Sequence, residues 1–355
     1  MNNNDPILVR WASKYVEGGN AFGFSLHSSK AAEHSVKYGV VHSPDGILDI
    51  FVGSPVFWAA DSWLEEARST GRKVVLYMSW ELEEFPEQIL NQIKRADAVI
   101  CSSNFLYQMV RKELPDMPCE LATLGVEPDM FSFKERENPM MHGGLFRFLY
   151  VGAANPRKGS DIIAHAWQDF SLMWNGAGMS QRCPVTPQLY MKVSTIQDIP
   201  DDEAIKCIQT NPAVILDYRK LKRKDLASLY HRAHAFVLPS FGECPGLTAL
   251  EAASTGLPCL ITPRHGLKDS FPPGTAVPLD WAWKMDNYMG LEGVRVPMAG
   301  AKALSLTFID VMENYHKYLQ VGVRAAEHMR RRFTWDECGR QVANALRSIR
   351  ARLFA

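Results

Sequence analysis

The sequence predicts an α/β protein made of two successive domains, each built around a parallel sheet. The chain has 355 residues, which is too long for one ordinary core and suits two domains of about 150 residues each. Short apolar stretches rich in β-branched residues alternate with helical patterns along the chain, as in parallel-sheet proteins. A charged segment with Pro and Gly, 134–144, interrupts this alternation and is expected to be a linker. We therefore expect a first domain at 1–133, a second at 145–335 and a C-terminal helix at 336–355 that packs back on the first.

Composition and charge argue against several classes of protein. The hydrophobic fraction is 46% and the charged fraction 22%, values typical of a packed globular chain. The 39 Lys and Arg balance 39 Asp and Glu, so constitutive nucleic-acid binding is not expected, although a nucleic-acid acceptor stays open. No apolar stretch approaches the about 18 residues that span a bilayer, which leaves only peripheral membrane contact. Residues Met1–Asp5 lack the pattern of a secretory signal, and the seven scattered cysteines suit reduced thiols, so we expect a cytoplasmic protein.

The first half of the chain is expected to alternate strands with helices. Its apolar stretches predict five strands: Ile7–Trp11, Gly46–Val52, Lys73–Met78, Ala98–Cys101 and Cys119–Leu124. Its helical spacings predict three helices: Ser29–Tyr38, Glu87–Arg95 and one that follows Ser102–Asn104 and runs to about Glu113. Ser28 or Ser29 is the expected cap of the first helix, and Ser102–Asn104 contains the cap of the third.

The second half repeats the alternation. The expected strands are Phe146–Val151, Gln188–Val193, Ala213–Leu216, His234–Leu238 and Pro258–Thr262. The expected helices are Asp161–Trp174, Lys224–Ala233 and Leu247–Thr255, followed by helical sequence from Ser305 to the end with a break near Phe333–Trp335. Ligands of open α/β sheets bind at the carboxyl ends of the strands, so we expect two facing domains with a cleft between them.

The segment Leu238–Ala252 combines a strand end, a turn of small residues and the start of a helix near Gly246. The first amides of a helix are unpaired and carry partial positive charge, so a diphosphate could bind them directly. Glu243 precedes the helix and Glu251 lies inside it, and each carboxylate could accept two hydrogens from a vicinal diol. The alternative is a surface loop with an incidental pair of Glu residues.

The segment Phe148–Gly159 places two adjacent cations, Arg157 and Lys158, in a loop between a strand and a helix. In the functional interpretation they stabilise the negative charge of a departing diphosphate. In the alternative they are solvated loop charges. The sequence contains no Asp-x-Asp pair to hold a magnesium–diphosphate complex, and its ten histidines lack metal-ligand spacing. We therefore expect neither a metal nor a cofactor.

Together these segments resemble the retaining glycosyltransferases of family 4, which have the two-domain GT-B fold of facing Rossmann-like domains. The Glu-x7-Glu signature of that family matches Glu243 and Glu251, and its glycine-lysine loop matches Gly152, Lys158 and Gly159. Recurrent family segments are similar to four more stretches: Ala96–Phe105, Leu124–Phe131, Asp225–Ser240 and Arg332–Trp335. The resemblance is strong from about residue 96 to residue 262.

The resemblance implies a metal-independent enzyme that transfers a sugar from a UDP- or GDP-type donor to an acceptor hydroxyl, with retention. Glu243 and Lys158, with Arg157, would be the catalytic residues at the donor sugar and the diphosphate. The implied donor-binding residues are Glu251 for the ribose, Tyr218 and Arg219 for the nucleobase, and Gly152, Gly246, Leu247 and Thr248 around the phosphates. Two departures matter. Ala153 stands where the family usually has Arg, so Arg157 would supply that charge, and Cys244–Pro245 replaces the usual Gly-aromatic pair.

The acceptor side carries weaker expectations. In the loop after the first strand, Gly19 and Asn20 are candidates for contact with the acceptor or the phosphates, against the alternative of a plain turn. After the strand that ends at Met78, Trp80 or Glu81 could contact the acceptor, against the alternative of a packed Trp beside a capping Glu.

Three other functions remain open from the sequence. They are a phosphorylase or epimerase of the same fold, a non-catalytic subunit that binds nucleotide sugars, and a transferase that modifies bases in nucleic acid.

Overall fold

The computed structural model describes residues 6–11, 22–55, 61–176, 179–196, 203–288 and 290–355. The chain divides into two compact units. Unit 1 comprises Met1–Gly125 with Arg332–Ala355, and unit 2 comprises Val126–Arg331. Residues 126–133, which the sequence analysis assigned to the first domain, therefore belong to unit 2. Among the described residues, no helix is long and apolar enough to cross a membrane.

Unit 1 is a six-stranded parallel sheet with helices, in the strand order β2-β1-β3-β4-β5-β6. Its strands are β1 (Ile7–Trp11), β2 (Val40–His42), β3 (Leu48–Gly53), β4 (Lys73–Met78), β5 (Ala98–Cys101) and β6 (Cys119–Leu121). Its helices are α1 (Phe22–Ser35), α2 (Asp61–Ser69), α3 (Glu87–Ile93), α4 (Asn104–Glu113) and α13 (Trp335–Leu353). The central strands are buried, which explains their continuous apolar sequences.

The ends of two helices in unit 1 are set by side-chain caps. The Ser103 hydroxyl accepts a hydrogen bond from the Leu106 amide at 3.2 Å and begins α4, as the sequence predicts. The Thr334 hydroxyl accepts one from the Glu337 amide at 3.1 Å and begins α13. The prediction for α1 is wrong: the helix begins at Phe22, so Ser28 and Ser29 lie inside it and cap nothing.

Unit 2 is a second six-stranded parallel sheet, in the order β12-β11-β10-β7-β8-β9, accompanied by a separate antiparallel hairpin, β13-β14. The strands are β7 (Gly144–Ala154), β8 (Val185–Ile196), β9 (Val214–Asp217), β10 (Ala235–Leu238), β11 (Cys259–Ile261), β12 (Val277–Pro278), β13 (Trp281–Tyr288) and β14 (Leu291–Ala299). The helices are α5 (Ser160–Gly176), α6 (Met179–Arg182), α7 (Glu203–Thr210), α8 (Arg223–Arg232), α9 (Leu247–Ser254), α10 (His265–Ser270), α11 (Ala301–Glu313) and α12 (Tyr315–Arg332).

Arg136 attaches part of the expected linker, 134–144, to unit 2. Its buried guanidinium donates hydrogen bonds to the carbonyl oxygens of Tyr230, Ala233 and Thr255 at 3.1, 3.1 and 2.6 Å. These carbonyls lie at the C-terminal ends of α8 and α9, where a cation is favoured by the helix dipole. Burial lowers the pKa of the Arg136 guanidinium to about 10, which leaves it charged at neutral pH. This part of the segment is therefore packed.

Candidate functional site

The two motifs singled out in the sequence lie side by side in unit 2. Strands β7 and β10 are parallel neighbours, with Phe148 opposite Ala235. Their carboxyl ends therefore meet at one edge of the sheet. The loop after β7 carries Arg157 and Lys158, and the loop after β10 carries Glu243. The sequence separation of 85 residues between Lys158 and Glu243 is thus closed by strand pairing.

Lys158 and Glu243 form a direct ion pair in which the Lys158 ammonium donates a hydrogen bond to Oε1 of Glu243. The Arg157 Nη1 atom lies 3.7 Å from the same oxygen. Arg157 Nη1 also donates to the Gly242 carbonyl oxygen at 2.6 Å. Two cations thus converge on one buried carboxylate.

The pKa of the buried Glu243 carboxyl is lowered from its ordinary value. Burial alone raises this pKa, but the charges of Lys158 and Arg157 outweigh burial. Glu243 is therefore an anion at neutral pH, held by the two cations that the sequence analysis assigned to a diphosphate.

Backbone contacts hold the two loops together. The Phe241 amide donates to the Arg157 carbonyl oxygen at 3.0 Å, and the Ser240 hydroxyl donates to the same oxygen at 2.9 Å. Gly159 has a positive φ of 70°, and a Cβ there would lie 2.5 Å from the Pro239 carbonyl oxygen. Only glycine fits that contact, so the loops are in direct backbone contact.

The loop after β10 ends in a compact turn at the start of α9. The Cys244–Pro245 peptide bond is cis, and Gly246 has a φ of 89°. Gly246 precedes α9 and no side chain caps the helix. Its first amides, including those of Leu247 and Thr248, have no intrahelical acceptor and face the end of the helix. An anion placed there would be favoured by these amides and by the helix dipole.

The sequence analysis placed Gly152 at the start of a loop, whereas the structure places it inside β7. The strand continues to Ala154, with an irregularity in the pairing with β8 between Gly152 and Ala154. Asn155 then caps the short 3-10 turn Pro156–Lys158 by accepting a hydrogen bond from the Lys158 amide at 3.0 Å. The loop is therefore shorter than expected and is stiffened at Lys158.

Glu251 lies on α9 and is only 1% exposed. The Tyr230 hydroxyl donates to its Oε2 at 3.1 Å, and Arg223 Nη1 lies 3.1 Å from its Oε1. The pKa of the Glu251 carboxyl is raised from its ordinary value, because burial outweighs the charge of Arg223 and the hydrogen bond of Tyr230. The carboxylate thus lies in a buried network.

Arg223 and Tyr230 were not among the predicted site residues. They are seven residues apart on α8, two helical turns, and so lie on the same face of the helix toward α9. Arg223 also donates from Nε and Nη2 to Oε2 of Glu127 at 2.9 and 2.6 Å. Tyr230 lies in the segment Asp225–Ser240, which the family resemblance covers, and Arg223 lies just before that segment. No spacing rule in the sequence brings either residue to Glu251.

The predicted nucleobase residues lie at the carboxyl end of β9. Tyr218 is 48% exposed, and Arg219 is held by Asp217 through hydrogen bonds of 2.9 Å from Nε and 2.8 Å from Nη2. Asp217 in turn accepts a hydrogen bond from the Tyr190 hydroxyl at 2.6 Å. The hydrogen bonds from Arg219 hold the pKa of the Asp217 carboxyl well below its usual range. Arg219 is therefore oriented by a fixed carboxylate while its neighbour Tyr218 stays accessible.

The acceptor-side candidates have different outcomes. Trp80 is completely buried, and its Nε1 donates to the Glu84 carbonyl oxygen at 3.0 Å, so its ring offers no open face. This matches the packed alternative that the sequence left open. Glu81 follows it and is partly exposed. Gly19 and Asn20 lie outside the described residues. Across the described parts of the chain, no group of three or more His, Cys, Asp or Glu is arranged to hold a metal ion.

Comparison with protein families gives one match that covers most of the chain. Residues 67–342 match the family described as "Family 4 Glycosyltransferase in conflict systems". No curated protein matches the chain in sequence.

Several solved structures share the fold at low sequence identity. HepE from Anabaena, solved with UDP-glucose, has 13% identity, a TM-score of 0.62 and coverage of 96% of this chain and 98% of that chain. A sucrose-phosphate synthase from Thermosynechococcus elongatus has 17% identity, a TM-score of 0.60 and coverage of 96% and 82%. A UDP-forming trehalose-phosphate synthase from Burkholderia xenovorans has 12% identity, a TM-score of 0.60 and coverage of 94% and 80%. At these identities the likeness concerns the fold.

Proposed function

Because the chain belongs to the family 4 glycosyltransferases and has the GT-B fold, we propose that it transfers a sugar from a nucleotide-diphosphate sugar to an acceptor hydroxyl. The observation that carries the proposal is the convergence of Lys158 and Arg157 on Glu243, next to the uncapped start of α9. The reaction proceeds with retention and without a metal ion.

The cations take the role that a metal would have at the diphosphate. When the donor binds, its phosphates compete with Glu243 for Lys158 and Arg157, and the first amides of α9 at Gly246, Leu247 and Thr248 contribute further donors. As the bond between sugar and phosphate breaks, negative charge grows on the leaving oxygen, and Lys158 stabilises it. That oxygen then takes the proton of the acceptor hydroxyl, and the acceptor oxygen bonds to the anomeric carbon on the face that the phosphate leaves, so the configuration is retained.

Glu243 and Glu251 divide the remaining recognition between sugar and ribose. Glu243 contacts the hydroxyls of the donor sugar once the phosphates have taken its cations. Oε1 of Glu251 lies 3.1 Å from Arg223 Nη1, and its Oε2 accepts a hydrogen bond from the Tyr230 hydroxyl, so the carboxyl group is fixed in place. A fixed carboxylate can accept two hydrogens from a vicinal diol, which supports a role in holding the ribose.

We propose UDP as the first nucleotide to test. HepE was solved with UDP-glucose, the trehalose-phosphate synthase is described as UDP-forming, and both share the fold. The accessible Tyr218 beside the oriented Arg219 offers a flat ring and a planar cation to a base, which supports nucleotide binding at the end of β9. GDP-type donors are the alternative. The acceptor, with Glu81, Gly19 and Asn20 as candidate contacts, and the cytoplasmic location stay predictions.

A screen of nucleotide sugars by thermal shift tests the proposal. A ligand that binds the folded chain raises its melting temperature, and at one hundred times its Kd it adds about 2.7 kcal/mol of stability. We expect at least one UDP- or GDP-sugar to do so and to release its nucleoside diphosphate slowly in water. Both results should persist in EDTA. A rate that depends on orthophosphate would indicate a phosphorylase, and binding without turnover with any acceptor would indicate a non-catalytic subunit.

A further inference from the structure

The hairpin of β13 and β14 is separate from both parallel sheets and has two unlike faces. Alternate residues of a strand point to opposite faces, and Trp283 is paired with Pro297 and Met285 with Arg295. One face therefore presents Trp281, Trp283, Met285 and Arg295, and Met285 is 67% exposed there. The other face carries the buried Val294 and Val296. Trp281 and Trp283 are half-buried, and the residues paired with them, Ala299 and Pro297, are buried, so the indole-bearing face is itself largely covered.

The hairpin contacts two of the loops that frame Glu243. Near its turn, the Tyr288 ring packs edge-on against Phe241, with centroids 6.0 Å apart, and Phe241 lies two residues before Glu243. At its open end, the Arg264 guanidinium lies 4.8 Å from the Trp281 ring centroid and 5.0 Å from that of Trp283. The two indole rings are themselves packed edge to face at 5.1 Å. Arg264 stands in the loop after β11, the strand next to β10.

The turn that follows Arg264 has a strained backbone and is hydrogen-bonded to the backbone of Glu243. His265 has a φ of 50°, a left-handed conformation that costs free energy for any residue with a Cβ. His265 is buried, so neighbouring contacts must hold it. On one side the Gly266 amide donates to the Glu243 carbonyl oxygen at 3.0 Å, and a Cβ on Gly266 would lie 2.9 Å from Cys244 Cα. On the other side the Arg264 guanidinium stacks on the two hairpin indoles.

We propose that the hairpin shapes the pocket of the donor sugar, and that Arg264 is a positioning residue held by Trp281 and Trp283. Stacking on the indoles holds the Arg264–Gly266 turn, and that turn holds the backbone of Glu243. The inference rests on the proposed function of Glu243 at the donor sugar. The hairpin then affects the affinity for the sugar part of the donor and has little effect on the affinity for the nucleotide part. The reason is that Glu251 and Arg219 are held by partners outside the hairpin.

The test compares the affinities of UDP and UDP-glucose in single variants. Their ratio isolates the contribution of the sugar, and calorimetry measures it without knowledge of the acceptor. We expect Trp283→Ala and Arg264→Met to reduce this ratio about tenfold while the affinity for UDP changes less than about twofold. Trp283→Phe retains a stacking face and should restore the ratio, whereas Arg264→Lys loses the planar stack and should not. For the hydrolysis of UDP-glucose, kcat should fall by a larger factor than KM rises.

Met285→Ala is the matched control, because Met285 lies on the same face as the two indoles, is 67% exposed and has no described contact with either loop. It should leave the ratio and the rate unchanged. Suppose that wild type binds UDP-glucose and UDP with different affinities, and that Arg264→Met and Trp283→Ala show the same ratio of affinities as wild type. The inference is then overturned, and the proposed function stands. If wild type binds neither ligand and no other nucleotide sugar, the proposed function itself fails.

Discussion

We expect Lys158, which is paired with Glu243, to affect both the rate of transfer and the affinity for the donor. A substitution can separate these two effects. Lys158→Ala removes a cation from the leaving phosphate, and it leaves Glu243 buried with Arg157 as its nearest charge. Because charge on the phosphate grows in the transition state, we expect the transfer rate to fall about 100- to 1000-fold, with a smaller loss of donor affinity. Donor titration and single-turnover rates measure the two losses separately.

Lys158→Arg is the matched control for that prediction. It keeps the charge and should recover part of the rate. Equal losses in rate and affinity for Lys158→Ala would mean that Lys158 binds the ground state and the transition state alike, which contradicts the role proposed above.

Glu251 offers a second test at the residue scale. Glu251→Ala removes the proposed ribose contact and leaves Arg223 paired with Glu127, so we expect donor binding to fall below detection by calorimetry. Tyr230→Phe is the comparison, because it deletes one hydrogen bond to Glu251 and keeps the carboxylate. It should cost about 1 kcal/mol of stability and leave donor binding nearly intact. Unchanged donor affinity in Glu251→Ala would exclude the ribose role.

The sequence alone identified those site residues that belong to short motifs with a recognisable spacing. Arg157, Lys158, Glu243 and Glu251 all lie in short motifs beside strand ends. Arg223 belongs to no such motif, because its contact with Glu251 depends on how α8 packs on α9. Arg223 also lies in the basic run 219–224, and a run of like charges is most simply a solvated surface. Only the three-dimensional arrangement shows that its guanidinium is paired with Glu251.

At the scale of elements, burial decided which strands could be predicted. Strands β4 and β5 are buried on both faces, so they read as continuous apolar runs and were predicted at their observed bounds. The hairpin was not predicted, because β13 mixes exposed polar residues with Trp and Met. Helix α1 was predicted to start too late, because its first turns lack a segregated apolar face and its serines offered a misleading cap.

The packing of α1 against α13 gives a prediction at this scale. A Cβ at Gly339 would lie 2.5 Å from the carbonyl carbon of His34, so any larger residue forces the two helices apart. We expect Gly339→Ala to destabilise the protein by about 1 to 3 kcal/mol through overpacking. Gly176→Ala is the matched control, since a Cβ at the end of α5 meets nothing within 4 Å. Equal melting temperatures for the two variants would contradict this close packing.

For the whole molecule, zero net charge conceals a separation of charge by position. Arg136 and Arg223 are largely withdrawn from solvent, and their partners are helix carbonyls and buried carboxylates. Arg157 and Lys158 gather at one strand edge. The net charge is therefore no guide to the chemistry of the site. It constrains only the attraction of the whole protein to large polyanions.

Buried neutral histidines in both units predict that the whole protein loses stability on acidification. Burial lowers the pKa of His27 in unit 1 to about 3, and that of His234 in unit 2 to about 4. The Nδ1 of His234 accepts a hydrogen bond from the Arg147 amide at 2.9 Å, as a neutral ring does. Because these pKa values are below the unfolded value of about 6.5, the unfolded chain binds more protons as the pH falls below 6.5. The stabilising effect of the neutral rings is complete above that pH and declines toward the folded pKa.

For His27 the expected loss between pH 7 and pH 4 is on the order of 3 kcal/mol. His27 packs against the Tyr77 ring at 4.3 Å and near Trp335 at 6.5 Å, so Phe can take its place without a new charge. Thermal unfolding of wild type and His27→Phe across this range should show a smaller fall in melting temperature for the variant. Parallel curves would mean that His27 titrates alike in the folded and unfolded states, because only a difference in protons bound gives stability a dependence on pH.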